Sequence, residues 1–320
     1  MRKPAASVSV SPPPTSSPTR SHPLSVGAAL LALYLVWGST YLGIRIAIET
    51  LPPLLMASFR FLVAGALLYC WSAWRSPPEQ RRKVPGAWRA AFIVGGALLL
   101  CGNGGVAWAE QYVPSGLAAL LIATAPVWIA VFDRAFWGAP LHPLTGLGIA
   151  IGMAGLLLLL WPVGSFALNI AGVAVLLGAA LAWSLGSLYA RGAPLPAAAG
   201  LGTGMEMMAG GVLLAAAGIV DGELGRLDLG GISSASLAAL AYLTIFGSLL
   251  AFSCYTWLLR RANTSMVATY AYVNPVVAVY LGSVFAGEAL TLRTAVAAAI
   301  IVVGVAIIVG TRSLAQARQA

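Results

Sequence analysis

Residues 88–132 read WRAAFIVGGALLLCGNGGVAWAEQYVPSGLAALLIATAPVWIAVF, two apolar blocks that meet at one short polar turn. The first block, 88–110, carries charge only at its borders, Arg89 and Glu110, and the second, 115–132, carries none. About twenty residues of helix cross a hydrocarbon core of about 30 Å. The turn Val113-Pro114-Ser115-Gly116 is too short to do more than reverse the chain, so the two blocks form an antiparallel hairpin with a bilayer as solvent.

The same pattern extends in both directions. Further apolar blocks fall near 25–48, 53–74, 143–162, 170–190, 197–219, 235–258, 265–286 and 292–311, which makes ten spans. Pro52-Pro53 and Asn263-Thr264-Ser265 close two more tight hairpins. Across 320 residues, 60% are hydrophobic and 8% charged, against about one quarter charged in soluble domains. The expected fold is an all-α membrane protein of ten transmembrane helices.

Residues 1–23 are rich in Pro and Ser and have no apolar stretch after the basic start, so they read as a disordered tail and not as a signal peptide. Residues 313–320 read as a second tail. With the amino terminus inside, Arg75, Arg81, Arg82, Lys83, Arg89, Arg134, Arg191, Arg260 and Arg261 join the basic residues of both tails on the inner side. The outer side keeps only Arg45, Arg226 and Arg293, and Arg60 lies within a span. This bias places both termini in the cytoplasm of a cell whose inner, plasma membrane holds the chain. It also accounts for the net charge of +9 as a topology signal, with no nucleic acid as partner.

The chain repeats itself. A shift of 149 positions brings Trp108 onto Trp257, Ser115 onto Thr264, Pro126 onto Pro275, Phe136 onto Phe285, Gly138 onto Gly287 and Gly155 onto Gly304. Earlier in each half the register is 146, pairing Trp37 with Trp183, Arg45 with Arg191 and Gly65 with Gly211. Two units of five helices follow, at 24–163 and 168–312. An odd number of spans per unit inverts the second unit in the membrane, the architecture of secondary transporters that expose a midplane site alternately to each side.

Catalytic chemistry finds no support. The histidines, His22 and His142, lie in the tail and at a helix start, and no paired carboxylates or nucleophile elbow occur. Gly200-Leu201-Gly202-Thr203-Gly204 lacks a Walker lysine and reads as helix packing, so no cofactor, metal or ATP is expected. Cys70, Cys101 and Cys254 sit inside apolar blocks with neither disulfide nor metal spacing.

Trp37-Gly38-Ser39-Thr40-Tyr41, Arg60-Phe61-Leu62-Val63-Ala64-Gly65, and Ala125-Pro126-Val127 against Asn274-Pro275-Val276 resemble the EamA-domain exporters of the drug/metabolite transporter superfamily. The likeness covers residues 25–312 as two tandem units, and Trp108 to Gly116 fits a metabolite-exporter branch. It implies a ten-helix bundle with a central cavity and export of amino acids or other metabolites. One departure is Gly138-Ala139, where the family often carries Gly-Glu, as in Gly287-Glu288.

Candidate site residues follow from cost. A charge within a span is expensive and faces the bundle interior or a wet cavity, which singles out Arg60 and Glu206. These two share the 146 register, but their side chains tilt toward opposite membrane faces, so separate roles are expected over a salt bridge. Arg60 is a candidate for binding substrate, and Glu206, in an apolar span, for carrying a coupling proton. Trp37 and Trp183, with Ser39 and Thr40 beside the first, suit an amphipathic ligand; Asn103, Tyr270 and Asn274 add polar contacts. Pro126 and Pro275 are candidate hinges because each removes a backbone hydrogen bond. The expected partners are a small-molecule substrate, the bilayer and protons. An intramembrane enzyme acting on lipid-linked substrates and a passive channel or scaffold remain as alternatives to a secondary exporter.

A cysteine placed in the Arg81-Arg82-Lys83 loop should resist a membrane-impermeant maleimide in intact cells and react after permeabilisation. Labelling in intact cells would reverse the topology.

Overall fold

In hydrocarbon no water is available to backbone N–H and C=O groups, so each span must satisfy its own hydrogen bonds as helix. The computed structural model of the chain describes residues 23–138, 142–161, 169–261, 267 and 269–317. Among them there is no strand. The ten helices are α1 (Pro23–Ala47), α2 (Pro53–Arg75), α3 (Ala87–Ala109), α4 (Ser115–Phe136), α5 (Pro143–Leu160), α6 (Ile170–Ala190), α7 (Ala199–Val220), α8 (Ser234–Tyr255), α9 (Tyr270–Phe285) and α10 (Leu292–Ala317). All but α9 have the length and apolarity to cross a membrane. The ninth apolar block, expected from 265, begins on residues outside the described set, as do the Asn263-Thr264-Ser265 turn and the amino-terminal tail up to residue 22. At the other end α10 continues as helix to Ala317, five residues into the segment read as a second tail. Their composition, Ser-Leu-Ala-Gln-Ala, contains no breaker.

Local chemistry sets the boundaries. Pro53 and Pro143 occupy first turns, where the missing N–H costs nothing. Gly138 and Gly287 follow α4 and α9 with φ of +65° and +63°, a left-handed conformation that stops a helix and favours glycine. The two are 149 residues apart, the register of the repeat. The third helix of each half also departs from α geometry at matching positions, with π-helical turns at Gly96–Gly104 in α3 and Leu243–Leu250 in α8.

The halves meet through counterpart helices. In the α2–α7 seam, Ser58 Oγ donates to the Gly211 carbonyl at 2.8 Å, Gly65 lies against Gly204 and Met207, and Ser72 lies against Gly200. Early residues of one helix therefore meet late residues of the other, and the pair is antiparallel. In the α5–α10 seam, Gly148 meets Gly304 and Ile308 while Gly155 meets Ile300 and Ile301, again antiparallel. Both crossings fall near the middle of their helices. The other principal contacts survive exchange of the halves: α1 packs on α9 as α6 packs on α4, α1 on α8 as α6 on α3, and α2 on α8 as α7 on α3. This is the packing that a pseudo-two-fold through the two crossings requires.

One end of the bundle gathers the connections near 48–52, 110–114, 221–233 and 286–291, with Glu49, Glu110, Asp221, Glu223, Asp228 and Glu288; we term it the acidic end. The other carries Arg75 to Arg89, Arg134, Arg191, Arg260 and Arg261 and is the basic end.

A Cβ added at Gly304 would stand 2.6 Å from the Gly152 nitrogen and 2.8 Å from the Gly148 oxygen, both backbone atoms that cannot move aside. Gly304→Ala should force α5 from α10 and cost about 1–3 kcal/mol, whereas Gly310→Ala, in open space on the same helix, should be neutral. Thermal unfolding of the purified variants checks the contrast.

Candidate functional site

Where the halves meet between the two crossings, a cavity of about 160 Å³ opens in the middle of the bundle. That is close to the ~150 Å³ that holds a benzene ring in a protein interior. Its walls come from both halves: Trp37, Thr40, Tyr41 and Ile44 of α1, Arg60 and Phe61 of α2, Gly102 and Asn103 of α3, and Pro126 of α4. Trp183 of α6, Gly247 and Phe252 of α8, and Tyr270, Asn274 and Pro275 of α9 complete the binding wall. Of the residues proposed from sequence, Trp37, Thr40, Arg60, Asn103, Pro126, Trp183, Tyr270, Asn274 and Pro275 are thus brought together.

Two are not. Ser39 is two residues from Trp37, about 200° around the helix, while the lining residues 37, 40, 41 and 44 share one face. Its hydroxyl donates to the Val36 carbonyl and bonds the Tyr242 hydroxyl on the far side. Glu206 is half-buried on α7, a helix that contributes nothing to the cavity wall, with its carbonyl packed on Gly95. Sequence reading also passed over Tyr41, one turn from Trp37 on the same face; the i, i+4 spacing is the signal that finds it.

Arg60 is the only charged residue among those that line the cavity. It is 4% exposed, donates from Nε to Ser248 Oγ at 2.9 Å, and holds its guanidinium 4.7 Å from the centre of the Phe61 ring. The Nη2 group passes beside Gly247, 3.1 Å from where a Cβ would stand. One Nε–H is thus used for positioning, and no carboxylate opposes the charge: among the described residues the ion pairs are Arg191–Asp133 and Arg226–Asp221. Arg60 and Glu206 do not pair.

Trp37 is fixed from several sides. Its Nε1 donates to the Gly247 carbonyl at 3.1 Å, within the π-helical turn of α8, and its ring lies 5.0 Å from Tyr270 and 5.4 Å from both Phe252 and Tyr255. Asn103 Nδ2 donates to the Leu98 carbonyl inside the equivalent turn of α3. Asn274, oriented to satisfy its amide, donates to the carbonyls of Tyr34 and Tyr270. Both amides therefore keep their side-chain oxygen for other partners.

The two prolines differ in effect. Before Pro126 the helix of α4 breaks at Ala123-Thr124, and the Ala125 carbonyl is taken by Ser184 Oγ of α6 at 3.0 Å. Pro275 sits inside the continuous helix α9. The 146-register counterpart of Ser184 is Gly38, which faces the backbone of α9, the counterpart of α4, at Asn274.

The acidic end above the cavity is closed by hydrogen bonds from one half to the other. Glu223 accepts from the Leu54 and Leu55 N–H groups at 3.1 and 2.8 Å, capping α2. Glu288 accepts from Ser115 N and Gly116 N at 2.6 and 2.9 Å, capping α4. Ser236 Oγ donates to the Ile46 carbonyl, and Ser233 N to Thr50 Oγ1. At the basic end the halves are joined by the exposed Arg191–Asp133 pair, a 3.4 Å bond from Ala198 N to the Gln80 carbonyl, a hydrogen bond between the Tyr34 and Thr269 hydroxyls, and apolar packing of Leu30 and Leu33 on Leu258 and Val267. Sequence reading assigned no role to Glu223 or Glu288, because their partners are backbone groups distant in sequence.

The profile of the EamA-like transporter family matches the chain twice, at residues 25–161 and 170–310. The chain is 40% identical to a protein named as an uncharacterized inner membrane transporter, YedA of Escherichia coli (strain K12), over 89% of this chain and 90% of that one. It is 24% identical to the uncharacterized transporter YvbV of Bacillus subtilis (strain 168), over 90% and 93% of the two chains. A solved crystal structure superposes with a TM-score of 0.61 at 22% identity, covering 89% of this chain and 96% of its own, which supports the fold. With two copies of the family's domain spanning nearly its whole length, this chain belongs to the EamA-like transporter family, whose members are membrane transporters and not enzymes.

Proposed function

We propose that this chain is a secondary exporter of the inner membrane, moving small organic solutes that bear a carboxylate, amino acids among them, by alternating access about the central cavity. The observation that carries this reading is Arg60: a fixed, unopposed cation in the wall of a small cavity otherwise lined by aromatic, amide and aliphatic groups. A guanidinium offers a carboxylate a planar fork of donors, and low dielectric strengthens the attraction. The rings of Trp37 and Trp183 suit an apolar body, and the free oxygens of Asn103 and Asn274 suit an ammonium group.

Antiparallel counterpart helices supply two related packings, one open at each end. We read the acidic end, closed by carboxylate caps, as the shut one, so that in this reading the cavity opens toward the basic side. With the basic end in the cytoplasm, as the charge bias has it, a solute enters from inside and leaves once the acidic caps release. A passive channel fits less well, since the acidic end is sealed by buried residues including Ala47, Val113, Ser115 and Ala118. Proton coupling through Glu206 has no path through this cavity wall.

Arg60→Ala should weaken binding of carboxylate solutes about tenfold or more, the scale of a lost charge-assisted hydrogen bond, and Arg60→Lys should recover part of it. Counterflow in vesicles with a panel of radiolabelled amino acids and organic acids measures this. Equal counterflow by wild type and Arg60→Ala across the panel would sink the carboxylate assignment.

A further inference from the structure

Glu110 follows α3 at the acidic end and is 0% exposed, yet neither of its carboxylate oxygens has a hydrogen-bond partner. Ser115 Oγ, also fully buried, is unpartnered as well. The nearby cation does not neutralise this carboxylate by contact: Arg45 Nη1 donates at 2.6 Å to the backbone carbonyl of Glu110. Burial, and then the charge of Glu288, hold the Glu110 carboxyl well above its ordinary value, with Arg45 acting the other way.

Glu288, half-buried, acts on Glu110 from the second half, and the two carboxylates differ in their donors. Glu288 has two backbone N–H groups and the first turn of α4. Glu110 has none. The other groups that face this site are few. From α1 come Arg45 and Tyr41, and Tyr41 also lines the central cavity. From α4 comes Ser115, while α6, whose Gly172 packs on Val113, carries no charged residue. Arg60 of α2 is engaged with Ser248, and Arg293 of α10 shares with Glu288 a separate cavity of about 50 Å³. The counterparts of Glu110 and Glu288 in the 149 register are Leu259 and Ala139, so the basic end has no equivalent acids.

We propose that Glu110 is a proton-binding site that operates the acidic-end gate: it holds a proton while that end is closed and releases it to water on the same side when the end opens. The inference rests on the alternating-access reading above. On opening, Glu288 gives up the N–H groups of Ser115 and Gly116, water reaches Glu110, and its O–H passes the proton to that water, leaving a solvated carboxylate. Closing reverses each step. The proton favours the closed form, so its contribution is complete below the open-state value, near the ordinary ~4.3 of a glutamic acid, and fades as pH rises through the raised closed-state value. Between the two, the open-to-closed ratio should rise up to about tenfold per pH unit.

Spin labels at Tyr112 and Leu229, exposed positions on opposite halves of the acidic end, report the gate by their separation in nanodiscs, with the native cysteines replaced and no solute needed. The longer-distance population should grow with pH in the parent protein and in Glu110→Asp, and stay small at every pH in Glu110→Gln. An infrared carbonyl band of a protonated carboxyl should be present at neutral pH and lost in Glu110→Gln. A Glu110→Gln protein that keeps the parent's pH response, a gate that follows sodium at fixed pH instead of protons, or absence of that band would each overturn the proposal. Counterflow by the parent protein is read separately: a gate that answers to pH in a protein that moves no solute would remove the transport reading, not the proton site.

Discussion

Everything in this bundle depends on how closely α2 approaches α7 and α5 approaches α10. In lipid no hydrophobic force drives helices together, so association rests on packing and on hydrogen bonds between helices. Glycines make the packing possible: Gly65 with Gly204 in one seam, Gly148 and Gly152 with Gly304 in the other, each with backbone atoms where a side chain would otherwise stand. These contacts lie near the middle of every helix involved. They hold the two halves against each other.

Between the two seams the helices are irregular. Carbonyls in the π-helical turns of α3 and α8 and just after the break in α4 accept from side chains: Gly247 from Trp37, Leu98 from Asn103, Ala125 from Ser184. Non-helical backbone at membrane depth is tolerated where it is buried in protein or lines a cavity. Here it does both, and the cavity wall is built from those same residues.

Much of this was legible in the sequence, for definite reasons. Spans announce themselves because hydrocarbon forbids charge over about twenty residues; the repeat does so because Trp37/Trp183, Pro126/Pro275 and Gly138/Gly287 kept identity in register. Most cavity residues were found because an arginine, amides and small polar groups are costly in a span. Ser39 and Glu206 stand outside the cavity wall for one reason: polarity identifies a residue that needs a partner, whereas helix rotation decides which partner it meets. The carboxylate caps of Glu223 and Glu288 left no mark, because they bind peptide N–H groups at positions 168 to 173 residues away that any residue would present.

Symmetry and its breaking divide the labour. An ideal inverted repeat would make both ends alike, so that neither state and neither direction is preferred. At three positions an acid of this chain has no acidic counterpart: Glu110 against Leu259, Glu288 against Ala139, and Glu206 against Arg60. Glu288 holds α4 against the loop before α10, Glu110 lies buried at the same end without a donor, and Arg60 stands as a lone cation in the shared cavity. A duplicated transporter acquires direction and specificity by editing a few counterparts, because a charge that is tolerable at one end of a span costs several kcal/mol unpartnered at the other.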